Sequence, residues 1–99
     1  MLQTNSQRYF YLSTYDLSNN KRRLKLSKLL ESLGLRVQGS VFEGWLTGAE
    51  LNFLVQKGKS LIHEGEDSLR IYPVCRSCHE KMILIGECRS AAEPGLVIL

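Results

Sequence analysis

The sequence predicts an α+β domain. Three observations carry that reading: an aromatic, strand-like stretch running straight into a leucine-striped helix, a strand pair joined by a two-residue turn, and a second helix followed by another strand. A chain of 99 residues has room for one hydrophobic core, and so small a domain gains burial by pairing with another copy.

Residues 1–7 are polar and read as a frayed N-terminal extension. Residues 8–15 form the first strand, rich in Tyr and Phe. Alternation puts Phe10, Leu12 and Thr14 on one face and Tyr9, Tyr11, Ser13 and Tyr15 on the other. With helices over one face, the other leaves tyrosines exposed, which points to a dimer through the sheet; helices on both faces are the alternative. Asp16 ends the strand, and Ser18, Asn19 or Asn20 supplies the cap of the next helix by accepting from its unpaired N–H groups. In that helix Leu26, Leu29, Leu30 and Leu33 follow the i, i+3, i+4, i+7 rule and make a buried stripe, while Lys21, Lys25 and Lys28 share an outer face. Gly34 is expected to stop it in the left-handed conformation.

A short strand at Leu35–Gln38, a turn at Gly39-Ser40 and a strand at Val41–Leu46 come next. Thr47 and Glu50 then match a capping box, in which the Thr side chain and the Glu carboxylate each satisfy an orphan backbone N–H. The helix behind it buries Leu51, Leu54, Val55, Leu61 and Ile62, with Gly58 expected against another backbone. HEGEDS is a polar loop, and Leu69–Val74 is a strand whose Pro73 requires an edge or a strand end. CRSCHEK is a turn or short helix, and Met82–Ile85 a last short strand. The tail, residues 87–99, closes on the apolar run Leu96–Leu99, which suits docking on a partner. The order is the ferredoxin-like β-α-β-β-α-β plan over residues 8–86, with an extra C-terminal strand.

Charge is uneven. Residues 1–40 hold seven Lys/Arg against Asp16 and Glu31, a net of +5, whereas residues 41–99 hold six against eight acids, a net of −2. The basic half points to a polyanionic partner. No apolar run reaches a membrane span's length, and residues 1–8 lack the apolar core of a secretory signal. The expected compartment is the cytoplasm, with Cys75, Cys78 and Cys88 as reduced thiols. Cys75, Cys78, His79 and Cys88 are spaced poorly for zinc, so buried thiols in a turn are expected. No haem is expected either, since covalent attachment goes with an export signal. Trp45 is expected to hold its indole N–H at the sheet rim, and His63 takes no role.

Asp16 faces the cations of the following helix, a pairing able to hold a metal ion and a phosphate. One carboxylate does not hold Mg²⁺ alone. A two-fold dimer with both Asp16 near its axis supplies a pair, and the ion could then polarise a phosphoryl oxygen and activate water.

YDL, then NNKRRLKLSKLLESLGLRVQGSVFEGWLTGAEL, then EDSLRIYPVCRSC resemble, in order and over roughly residues 9–86, the small CRISPR-associated adaptation endonucleases of the Cas-two family. The resemblance implies a ferredoxin-like homodimer joined through its sheets, the last strand crossing to extend the partner's sheet. It implies metal-dependent endonuclease activity on RNA or DNA, with Mg²⁺ (or Mn²⁺) bound between the two Asp16. It further implies that Tyr15 shapes the metal's surroundings, that Arg23 and Arg36 bind phosphate or serve catalysis, and that Phe42, with Ser40 more weakly, lies beside the cleft. The alternative is a non-catalytic scaffold that holds duplex DNA for the Cas-one integrase in spacer acquisition, with Lys21, Arg22, Lys25 and Lys28 on the DNA backbone and the tail docking on the integrase. Two positions depart from the family pattern: Ser18-Asn19-Asn20 stands where aspartates are common, and Gly39 where an aromatic is.

Overall fold

A computed structural model describes residues 7–93. The expected fraying of residues 1–6 and the apolar run Leu96–Leu99 lie outside them. Four strands and three helices follow one another as β1 Tyr9–Asp16, α1 Asn20–Leu33, β2 Leu35–Gln38, β3 Val41–Leu46, α2 Gly48–Leu61, β4 Ser68–Val74 and α3 Arg76–Glu80. The sheet order is β2-β3-β1-β4 with every pair antiparallel, which is the ferredoxin-like plan. Among the described residues no helix is long and apolar enough to cross a membrane.

Local chemistry explains the helix starts. Asn19 is the N-cap of α1, its side chain accepting from the Arg22 N–H at 3.0 Å. Thr47 and Glu50 make the expected capping box on α2. Arg8 adds to it, donating to Glu50 Oε1 at 2.5 Å and to the Trp45 carbonyl at 3.1 Å. The Thr47 N–H first, then the Arg8 charge, hold the Glu50 carboxyl below its usual range.

The core lies between the sheet and the α1/α2 pair. Leu26, Leu30, Leu54, Phe42, Leu46, Tyr15 and Leu17 form it, with Leu29, Leu33, Leu51, Leu61, Ile62, Leu69 and Ile71 packed around them. Burying side chains of this size contributes about 2 kcal/mol each. Strand alternation sends Tyr11, Ser13 and Tyr15 of β1 toward this layer, so these tyrosines lie under the helices and not on the face away from them. That other face carries Phe10, Leu12 and Thr14 of β1 beside Trp45 and Glu43 of β3 and Tyr72 and Arg70 of β4. It retains exposed apolar surface, Tyr72 included.

One end of that face is covered. The His79 ring of α3 packs 4.4 Å from Phe10 and 4.9 Å from Trp45, and Phe10 and Trp45 meet edge-on at 5.2 Å. Trp45 is therefore buried, and its indole N–H donates at 3.1 Å to Ala91, inside the protein and not at a rim. Glu43, 6% exposed, accepts from Ser90 Oγ and the Ala91 N–H, both at 3.0 Å. Residues 90–91 are thus strapped across β3.

Three further expectations need correction. Met82–Ile85 is not a strand within the single chain: Ile83 and Ile85 are 80% and 86% exposed, and these residues pair with no strand edge among the described residues. A strand without an edge to join leaves its backbone groups to water, so the run stays irregular. Gly34 stops α1 with φ −167°, an extended backbone, and not in the left-handed region. Its need for glycine is steric, because an added Cβ would lie 2.1 Å from the Glu43 carbonyl oxygen where α1 crosses β3. Gly58 faces the Leu69 side chain, not a backbone.

Gly34→Ala is therefore expected to destabilise the fold by about 2 kcal/mol or more through forced backbone movement. Gly48→Ala, whose added Cβ meets nothing within 4 Å, should leave the urea midpoint unchanged or slightly raised. Urea denaturation of the two variants checks the contrast.

Candidate functional site

Asp16 lies at the far end of β1 from the Phe10–Trp45–His79 cluster. It aligns with Ser68 across β4, while Thr14 aligns with Arg70. Period-two alternation puts Asp16, Thr14, Ser68 and Arg70 on the open sheet face. The Asp16 side chain is exposed, and among the described residues it has no hydrogen-bond or ion-pair partner. Arg70 is exposed too. It donates to the Tyr72 hydroxyl at 3.3 Å and has no carboxylate partner among the described residues. A carboxylate and a guanidinium on neighbouring strands of one face are suited to a metal ion and a phosphate respectively. Sequence reasoning did not select Arg70, although β4 alternation together with the β1–β4 pairing would have put it on that face.

The turn after Asp16 is held rigidly. Arg23 donates to the Leu17 carbonyl at 2.7 Å and to the Asn20 side chain, so its guanidinium is pinned to the residue following Asp16. Asp67 fixes the same turn from the other side. Its carboxylate, with 0% side-chain exposure, accepts from Arg22 Nε at 2.7 Å and Nη2 at 3.3 Å, from the Ser18 N–H at 3.2 Å and from the His63 N–H at 2.9 Å. The Arg22 hydrogen bond, followed by those of His63 and Ser18, holds the Asp67 carboxyl down at about 2 from its ordinary 3.8. Ser18 Oγ also donates to Glu66 at 3.0 Å.

The other expected site residues divide by location. Arg36 lies on β2 over the Phe42 ring at 5.1 Å, reaches Glu31 of α1 at 3.4 Å and donates to the Gly39 carbonyl at 3.3 Å. Gly39, at φ +38°, holds a left-handed turn that suits glycine. Phe42 is 2% exposed and stacks on Tyr15 at 6.0 Å; it is a core ring with no open side. Ser40 accepts from the Tyr15 N–H at 3.3 Å. Asp16 and the Arg36–Phe42–Tyr15 row thus stand on opposite sides of the sheet, and Arg23 is the expected cation tied to the Asp16 turn. On α1, Lys21, Lys25 and Lys28 are exposed with no ion pair among the described residues, whereas Arg22 is turned inward onto Asp67. Cys75, Cys78 and Cys88 are all exposed, not buried. Among the described residues no group of three or more His, Cys, Asp or Glu converges to hold a metal.

Residues 9–82 match the family described as CRISPR associated protein Cas2. The chain belongs to that family. The CRISPR-associated endoribonuclease Cas2 1 of Chloroflexus aurantiacus is 49% identical over 79 residues, covering 79% of this chain and 85% of the relative. The crystal structure of Streptococcus pyogenes Cas2 superposes with a TM-score of 0.68 at 32% identity, over 78% of this chain and 99% of that one. A chain of a partial Cas6-RT-Cas1–Cas2 complex gives a TM-score of 0.60 at 31% identity, over 78% of this chain and 90% of that one. The β1, α1, β2, β3 and β4 motifs all lie inside the Cas2 match, whereas the strap at Ser90 and Ala91 lies outside it.

The depressed Asp67 carboxyl sets a pH dependence. Its contribution to stability is complete above the ordinary carboxylate value of 3.8 and disappears as pH falls through about 2. Asp67→Asn should therefore lower the thermal midpoint at neutral pH and flatten its fall across that acid window. Thermal melts of both proteins from neutral to strongly acid pH check this; parallel curves would mean the carboxylate contributes nothing there.

Proposed function

We propose that this Cas2 chain acts in CRISPR adaptation as a homodimeric, metal-dependent endonuclease on the phosphodiester backbone. The observation that carries the reading is the exposed Asp16 carboxylate at the strand end, without a partner among the described residues, on the one sheet face the α1/α2 layer leaves open. Two copies meeting through that face would bring two such carboxylates together, and the donor set would then suit Mg²⁺ or Mn²⁺, which keeps waters and takes one or two carboxylates. The bound ion would supply Lewis-acid polarisation of a phosphoryl oxygen. The chain's own residues do the rest. Arg70 on the same face and Arg23 at the turn offset charge on the phosphate. Asp67 and Arg22 keep the turn, and with it Asp16, in place. Phe42, buried, and Arg36 above it lie on the other side of the sheet and take no part at Asp16.

The dimer also accounts for Met82–Ile85. Strand β4 is a sheet edge, and an apolar groove of about 1020 Å³ runs beside it, lined in part by Val55, Gly58, Ile62, Leu69 and Ile71. An exposed edge is a template for a further strand. Met82–Ile85 of a second copy fits there, consistent with its exposure in the single chain.

A second reading rests on a different observation. Lys21, Lys25 and Lys28 form an outward stripe with no acidic partner among the described residues, which suits a DNA backbone held without reading sequence. A structural relative lies in a complex with Cas1. On this reading the chain is a scaffold that presents duplex DNA to Cas1, and residues 87–99 include the docking segment.

Asp16→Asn should reduce Mg²⁺-dependent cleavage of RNA or DNA about 100-fold or more while leaving dimer mass and DNA binding unchanged. Full cleavage by the variant would remove Asp16 as the metal ligand. Cleavage absent from both proteins, with Cas1-dependent spacer uptake intact in both, would favour the scaffold. Reversing Lys21, Lys25 and Lys28 to Glu should flatten the log–log salt dependence of duplex binding by about 3 for each protomer engaged. An unchanged slope would take the DNA off α1.

A further inference from the structure

Neither functional reading uses the cysteines. Cys75 is the N-cap of α3 and Cys78 stands three residues on, a spacing that sets two side chains on one face of a first helical turn. Both thiols are exposed and free. The turn that carries them is well anchored: the His79 N–H donates to the Cys75 carbonyl at 2.8 Å, and the His79 ring is seated against Phe10 and Trp45. Cys75 Sγ lies 3.3 Å from Ser77 Oγ. Cys88 is turned elsewhere, toward the Ile85 carbonyl at 3.2 Å.

The two thiols are electrically unequal. Hydrogen bonding from the Ser77 hydroxyl, then from the N–H and thiol of Cys78, draws Cys75 down from 9.0 to about 7. The hydrogen bond and charge of Cys75 in turn push Cys78 up. Cys75 is thus the more readily ionised thiol and Cys78 the one that stays protonated, the arrangement of an attacking and a resolving cysteine. A structural zinc site would need further ligands, and none converge here among the described residues.

We propose that Cys75 and Cys78 form a reversible dithiol–disulfide site that reacts with small-molecule disulfides and closes a covalent bridge across the first turn of α3. The Cys75 thiolate attacks one sulfur of the small disulfide, forming a mixed disulfide and releasing one thiolate. Cys78 gives its proton to solvent, and its sulfur then attacks the Cys75 sulfur, expelling the second thiolate. The protein loses two electrons and two protons; the small disulfide is reduced to two thiols. The site stands at the end of β1 opposite Asp16 and is independent of the nuclease and scaffold readings.

The test uses the full chain, fully reduced, then incubated with oxidised glutathione at neutral pH, trapped by acid and alkylated for intact-mass and peptide analysis. The expected product is lighter by two hydrogens, retains Cys88 as its one alkylatable thiol and returns to the starting mass with dithiothreitol. Cys78→Ser should stop at a glutathione adduct on Cys75. In the reduced protein Cys75 should alkylate about fivefold faster than cysteine in an unstructured peptide, with a rate that rises through pH of about 7. Three thiols still alkylatable after incubation, a bridge to Cys88, or adduct formation in Cys75→Ser as fast as in Cys78→Ser would each overturn the proposal. Circular dichroism of both Ser variants separates lost chemistry from lost fold.

Discussion

The Asp67 carboxylate is the constraint on which the Asp16 end of the molecule depends. It ties the turn leaving β1 and the first turn of α1, 49 and 45 positions away, to its own loop leaving α2. A carboxylate closed off from water is costly unless its lone pairs are filled, and here four donor contacts fill them. In return the β1–α1 turn cannot swing, so Asp16 and Arg23 keep their positions without touching Asp67. Arg22, which belongs by position to the basic surface of α1, is committed to this work. The basic stripe that remains is narrower than the run of cations in the sequence, and it consists of lysines alone.

The two faces of the sheet answer different needs. The face under α1 and α2 is sealed by leucines and by the Tyr15–Phe42 stack. The opposite face is divided: α3 and residues 90–91 cover the Phe10–Trp45 end, and the Asp16–Arg70 end is bare. Asp16 and Arg70 at the bare end have no ion-pair partner among the described residues.

Much of the fold was legible because its signals are local. The Asn19 cap, the Thr47–Glu50 box, the leucine stripe and the Gly39-Ser40 turn each depend on residues within a few positions of one another. Asp16 stood out by its place at a strand's end before the cations of the next helix. The misreadings share the opposite character. Asp67 read as one more polar loop residue because its partners Arg22 and Ser18 are 45 and 49 positions away. Arg22 read as a DNA contact for the same reason. Met82–Ile85 has the composition of a strand, but pairing needs an edge, and composition does not say which chain provides it. The cysteines read as buried because cysteine usually is; in α3 it is His79, the polar residue of the motif, that turns inward. Arg70 was missed because its importance appears only once β4 is laid beside β1.

Glu43 carries a consequence for the tail. Its carboxylate is built into the middle of the sheet, and the chain closes over it only at Ser90 and Ala91. The described part of the C-terminal segment therefore completes the folded domain. A protein shortened before residue 90 would uncover an acid inside its own sheet and the indole of Trp45 along with it. Such a protein would lose partners because it had lost a wall, and the loss would say nothing about where those partners touch.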